Sequence, residues 1–249
     1  LNAERGGESL GGAVRWHVLA DGAELVAEAC ARIRGAAGRS IAAHGRFRIV
    51  LAGGTTPAAI YRMLGQSEGD WSHWHLYLGD ERCLPEGDSG RNIAMIREAL
   101  LDAADIPSAQ VYEIPAELGP QEAARNYEPV VADALPFDLV LLGVGEDGHT
   151  ASLFPGLPRV PGAAVQAVHG APKPPSERVS LSAQALACTR ELLVIATGAG
   201  KRDALRRWRR GESLPIAEIR PTAGLDVLVD RAAWGEQEIE GSDTCNPHP

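Results

Sequence analysis

The chain is short of positive charge, of paired cysteines and of long apolar runs. Lysine and arginine together number 24 against 33 aspartates and glutamates, a formal net charge of -9. A general nucleic-acid binder, or a protein adhering to anionic membranes, needs a basic surface, so both classes are set aside. A small anionic ligand is not, because a few local cations outweigh the global charge at short range. Cys30, Cys83, Cys188 and Cys245 form no CxxC pair. Their scatter suits reduced thiols in a cytoplasmic protein, not a disulfide framework or a zinc site. No stretch approaches a membrane span, and Leu1 to Gly12 is polar and glycine-rich, without an apolar signal core. Neither a metal nor a cofactor is expected, and the assembly expected is a monomer or weak homodimer.

Two catalytic signatures are missing as well. There is no Gly-x-Ser-x-Gly, so a covalent acyl-enzyme is not the first expectation. The one Gly-Gly-Thr-Thr turn lacks the lysine of a Walker loop, which disfavours a nucleoside triphosphate.

What remains is an ordinary globular composition, 45% apolar and 23% charged over 249 residues, enough for one large α/β domain. Short apolar runs alternate with helical patterns. Strands are predicted at Val14 to Leu19, Phe47 to Leu51, His75 to Gly79, Gln110 to Ile114, Phe137 to Leu142, Arg178 to Ser182, Glu191 to Thr197 and Leu225 to Val229. Asp21 caps an alanine-rich helix over about Ala23 to Ala43, and Gln121 to Ala134 is a second amphipathic helix. This alternation predicts a mainly parallel, doubly wound, Rossmann-like sheet with helices on both faces. A single domain over 14–235 is expected, with flexible termini at 1–13 and 236–249. Gly156 to Ser176, rich in proline and glycine, reads as an irregular excursion forming a lid or rim.

Four strand ends carry chemistry. Gly53-Gly54-Thr55-Thr56-Pro57 follows one strand and opens a helix, offering N–H groups, two hydroxyls and a dipole end to an anion. Asp80-Glu81-Arg82 and Gly198-Ala199-Gly200-Lys201 end two others. Gly143-Val144-Gly145-Glu146-Asp147-Gly148-His149 ends the most buried one and is expected to open a helix. In a parallel sheet these turns gather at one edge, where ligands bind. His149 is the side chain suited to proton transfer near neutral pH. Asp147 either orients its imidazole or caps the helix, with Glu146 ranked below it. A phosphorylated small substrate, attacked by water under general-base catalysis, is the reading these residues favour.

These motifs, with Ala151-Ser152-Leu153-Phe154-Pro155-Gly156 and Arg178-Val179-Ser180-Leu181, resemble the ordered motif set of 6-phosphogluconolactonases. The similarity runs from about Val14 to Ala233. It implies the fold shared with glucosamine-6-phosphate deaminases and hydrolysis of 6-phosphoglucono-δ-lactone in the oxidative pentose phosphate route. His149 is then the general base and Asp147 its partner. Phosphate is expected on Gly53, Gly54, Thr55 and Thr56, with charge from Arg178 and Lys201. Arg82 is expected at phosphate or oxyanion, and Asp80 at sugar hydroxyls or holding Arg82. Two alternatives are a glucosamine-6-phosphate deaminase and a non-catalytic sugar-phosphate sensor. The deaminases carry a Phe-Asn-Glu-Pro segment whose carboxylate assists ring opening, and Tyr after Asp-Glu. Here Phe154 precedes Pro155 and Arg82 follows Glu81. One local departure from the lactonase pattern is Cys83-Leu84 in place of an aromatic-Val pair.

Overall fold

The computed structural model describes residues 12–235. The termini expected to be flexible therefore lie outside the described residues, apart from Gly12 and Ala13. The chain runs β1 (Val14–Leu19), α1 (Gly22–His44), β2 (Phe47–Leu51), α2 (Thr55–Gly65), β3 (Trp74–Leu78), β4 (Asp80–Arg82) and α3 (Asn92–Ile96). It continues through β5 (Val111–Tyr112), α4 (Pro120–Ala134), β6 (Phe137–Gly143), β7 (Val165–Val168), β8 (Arg178–Leu181), α5 (Ala183–Ala187) and β9 (Thr189–Ala196). It ends with α6 (Arg202–Arg209), α7 (Pro215–Glu218), β10 (Leu225–Asp230) and α8 (Arg231–Trp234).

Local signals account for several boundaries. The Asp21 side chain accepts hydrogen bonds from Ala23 N and Glu24 N at 2.9 Å each, satisfying two of the orphan donors that open α1. Gly45 closes the helix in the left-handed region at φ 76°, where a side chain would be strained. α2 differs: its N-cap is Gly54 at φ 113°, and no side chain caps it. Its first N–H groups are left for something else.

Seven strands form one parallel sheet in the order β1-β10-β9-β6-β2-β3-β5. β6 is buried at every position from Phe137 to Leu142, so both faces of the sheet are covered. From β2 the chain steps outward to β3 and β5, then returns beside β2 as β6 and steps the other way. β2 and β6 flank the switch point, and a crevice opens beyond their carboxyl ends. Tyr61, fully buried, fixes the edge of that crevice: its hydroxyl donates to Ala52 O and accepts from Ala52 N, both at 2.9 Å.

Three local expectations are corrected. Asp80–Arg82, expected as a strand-end turn, is β4 of a second, antiparallel sheet ordered β4-β8-β7. Gly156 to Ser176 is not wholly irregular, since Val165–Val168 is the outer strand of that sheet. No helix opens at His149: turns follow it, with a bridge between Thr150 and Leu153 and Ala151 at φ 47°. The glycines and Pro155 of that stretch break the 3.6-residue pattern a helix needs.

Candidate active site

A cleft of about 240 Å³ lies beyond the ends of β2, β3 and β6. Its walls carry Gly53 and Gly54 from the β2 turn, Asp80 and Arg82 from β4, and His149 from the β6 turn. Arg178 of β8 and Lys201 after β9 complete the set, so seven side chains or turns singled out in the sequence converge here. A larger groove of about 480 Å³ beside Trp208 and Leu214 holds none of these strand-end turns, and chemistry argues for the smaller cleft.

The β6 turn is built around its histidine. Gly145 N donates to His149 O at 2.7 Å, and Gly148 N to Gly145 O at 3.0 Å, folding the backbone back on itself. The imidazole then lies on the Cα of Gly145: a Cβ there would sit 1.9 Å from Nδ1. Asp147 Oδ1 accepts from the backbone N of His149 and bonds its Nδ1. An ionised carboxylate only accepts, so Nδ1 carries the proton and Nε2 is left bare. No helix opens here for Asp147 to cap, and its carboxylate contacts the imidazole instead.

Burial lowers the His149 pKa below its ordinary value, Asp147 and Asp80 oppose that, and Lys173 adds to it. The imidazole is therefore neutral at neutral pH. Asp147 is held below the usual carboxylate range: burial pushes it up, and the hydrogen bonds to His149 outweigh burial. Phe154 is fully buried with its ring 4.5 Å from that of His149, and the Arg178 guanidinium sits 5.5 Å from the Phe154 centroid.

The remaining candidates fall into distinct places. Thr55 is exposed at the first turn of α2, whereas the Thr56 hydroxyl bonds Thr197 Oγ1 at 2.7 Å. Neither threonine lines the cleft; the glycines before them do. Asp80 is buried with both oxygens engaged, accepting from Ser152 Oγ at 2.5 Å and Asn92 Nδ2 at 3.2 Å. It ties β4 to two other segments and does not hold Arg82, which donates to Gly90 O at 2.6 Å. The Arg82 Nε is buried without a protein partner. Glu146 lies against Gly200 and raises the Lys201 pKa, which burial lowers overall.

Sequence reading missed the roles of three residues. Asn92 fits against Gly53 so closely that a Cβ there would meet Oδ1 at 2.1 Å, and its amide also bonds Asp80 O at 2.9 Å. Glu81, fully buried, accepts from Asn92 N and Ile93 N and so sets the start of α3 that presents Asn92. Nothing in local sequence links positions 53 and 92. Lys173 was read only as part of the excursion, yet it lines the cleft. A signal was present: Lys173 and Lys201 are the two lysines of the whole chain.

Fold and cleft together define a doubly wound α/β protein whose ligand site lies at the sheet's switch point, with an uncapped helix N-terminus beside an Asp–His pair. Comparison with known proteins narrows this. Residues 20–229 match the model of the family described as glucosamine-6-phosphate isomerases/6-phosphogluconolactonase, and the chain belongs to that family. It is 41% identical over 235 residues to the 6-phosphogluconolactonase of Mycobacterium tuberculosis, covering 87% of this chain and 95% of that one. The Streptomyces coelicolor 6-phosphogluconolactonase is 37% identical, covering 84% and 90%. Among solved structures, the Thermotoga maritima 6-phosphogluconolactonase superposes with a TM-score of 0.81 at 29% identity, covering 88% of this chain and all of that one. A monomeric glucosamine-6-phosphate deaminase, at 20% identity and a TM-score of 0.74, shares the fold. Among the described residues no helix is long and apolar enough to cross a membrane.

Proposed function

We propose that the protein hydrolyses 6-phospho-D-glucono-1,5-lactone to 6-phosphogluconate, with His149 as general base and no covalent intermediate. The observation that carries this reading is the Asp147–His149 pair in a cleft that also presents an uncapped helix N-terminus and Lys201. The name carried by relatives up to 41% identical supports the same substrate.

The substrate phosphate rests on the N–H groups opening α2, with Lys201 as its cation. Water attacks the lactone carbonyl carbon while its proton passes to His149 Nε2. The bond from that carbon to the ring oxygen then breaks, and the imidazolium returns the proton to the departing oxygen. Asp147 holds the imidazole in the required tautomer and stabilises its charged form. A lactone is an activated ester, so general-base assistance of roughly 10²–10⁴-fold together with positioning suffices. Arg82 supplies a cation at the β4 side of the cleft for anionic oxygen.

The deaminase reading is disfavoured by Phe154. Fully buried against His149, it puts an aromatic ring where that chemistry needs a carboxylate. The test is lactone hydrolysis measured above the spontaneous rate, with glucosamine-6-phosphate deamination run in parallel. Lactone turnover that disappears in His149→Ala, on folded protein that still binds 6-phosphogluconate, is the expected result. Deamination without lactone turnover overturns the reading.

A further inference from the structure

We propose that Lys173 is a second cation for the substrate phosphate, and that Arg178 acts through it by holding the Lys173 strap over the cleft. This rests on the phosphorylated-lactone reading above.

The strap is 171–176, closed at its base by Ala171 N donating to Ser176 O at 2.9 Å. The Arg178 guanidinium is buried beneath it and grips three successive carbonyls. Nε donates to Pro175 O at 2.9 Å, and Nη2 donates to Lys173 O at 3.1 Å and Pro174 O at 3.2 Å. Three prolines, Pro172, Pro174 and Pro175, leave the strap stiff, so fixing its carbonyls fixes where the Lys173 side chain starts. The same bonds occupy the Nε–Nη2 edge that a bidentate phosphate contact would use. Nη1 is left, 3.5 Å from Ser152 Oγ, which in turn donates to Asp80. Arg178 is thus built into the wall of the site.

Lys173 is exposed at the strap and lines the same cleft as Lys201. Among the described residues neither lysine forms an ion pair. Their mutual repulsion is felt: the charge of Lys173 is among the causes holding the Lys201 pKa down, after burial. Two unpaired ammonium groups facing one cleft are stabilised together when a dianion enters between them. The phosphate supplies that charge, and a helix N-terminus with a single lysine would leave part of it unmatched.

The experiment compares Lys173→Met, Arg178→Lys and the double variant on the phosphorylated lactone and on unphosphorylated glucono-δ-lactone. Expected for Lys173→Met is a KM for the phosphorylated substrate raised about tenfold or more, kcat within about threefold, and little change on the unphosphorylated one. Arg178→Lys keeps the charge but loses the grip, so it reproduces this pattern. The double variant is no worse than the worse single, because both act on one contact. A second readout is the acid limb of kcat/KM. His149 faces Asp147 of its own turn and Asp80 of β4, which raise its pKa, and Lys173, which lowers it; both variants move the limb to higher pH.

An unchanged KM in Lys173→Met overturns the proposal, as does a wild-type KM in Arg178→Lys or multiplication of the two effects. Lys173→Met alters an exposed side chain, so it decides the matter even if Arg178→Lys folds poorly. If wild type fails to hydrolyse the lactone, the functional reading falls separately. Inorganic phosphate binding by calorimetry then still reads Lys173: weaker binding in Lys173→Met upholds its role, and equal binding ends it.

Discussion

Gly145→Ala is the sharpest test of the proposed mechanism, because it moves the His149 imidazole without removing it. The added Cβ would sit 1.9 Å from His149 Nδ1, 2.1 Å from Cε1 and 2.7 Å from Asp147 Oδ1. To reach ordinary contact the imidazole must retreat by about 1.5 Å, since interiors are close-packed and yield little. That displacement breaks the Nδ1–Asp147 bond and swings Nε2 off the line to the attacking water. Gly145 does not occupy the positive-φ region, so alanine fits its backbone and the fold survives. Misplacement on this scale costs on the order of 10²-fold in rate, or about 2.7 kcal/mol in the barrier. Steady-state lactone hydrolysis should show that loss in kcat with KM little changed, because the phosphate end is untouched. Thermal unfolding should confirm a folded protein. A variant that keeps kcat within about threefold of wild type refutes the assignment of His149 as a positioned base.

Asp147→Asn should lower turnover and move the acid limb of kcat/KM downward, because Asp147 raises the His149 pKa and its loss leaves burial less opposed. An upward move in the pH profile would contradict the pairing. Asp226 is held down to about 2: burial pushes it up, and bonds from Arg15 and His17 outweigh burial. Its folded pKa is depressed, so its contribution is present above the unfolded value and lost as pH falls from about 4 towards 2. The melting temperature of Asp226→Asn should therefore trail wild type at pH 7 and approach it in acid. Gly38, inside α1, has nothing within 4 Å of an added Cβ. Gly38→Ala should stabilise by about 0.5–1 kcal/mol in denaturant unfolding, with activity unchanged.

The strand–turn–helix order was legible because each unit announces itself locally. Apolar runs such as Phe137 to Leu142 mark buried strands, Asp21 marks the start of α1, and Gly-Gly-Thr-Thr-Pro marks a helix start. A parallel sheet then gathers its strand-end turns at one edge, which is why His149, Lys201 and Gly53 could be placed together from spacing alone. The same local rules misread 80–82 as a strand-end turn and 165–168 as a loop. Strands that short are stabilised by the partners they pair with, and those partners lie about a hundred residues away in one case.

What the sequence by itself determined was the sheet, its chemical edge and the one residue suited to move a proton. What only the tertiary structure decided was how the side chains at that edge divide the work. Asp80, expected at sugar hydroxyls or holding Arg82, lines the cleft with its oxygens bonded to Ser152 and Asn92 and leaves Arg82 to Gly90. Asn92 seats itself where Gly53 leaves no room for a Cβ. Arg178 grips the carbonyls of a strap that carries Lys173 into the cleft. The reason is physical: residue type announces which bonds a side chain can make, whereas the partner it meets depends on packing between segments that no local pattern connects.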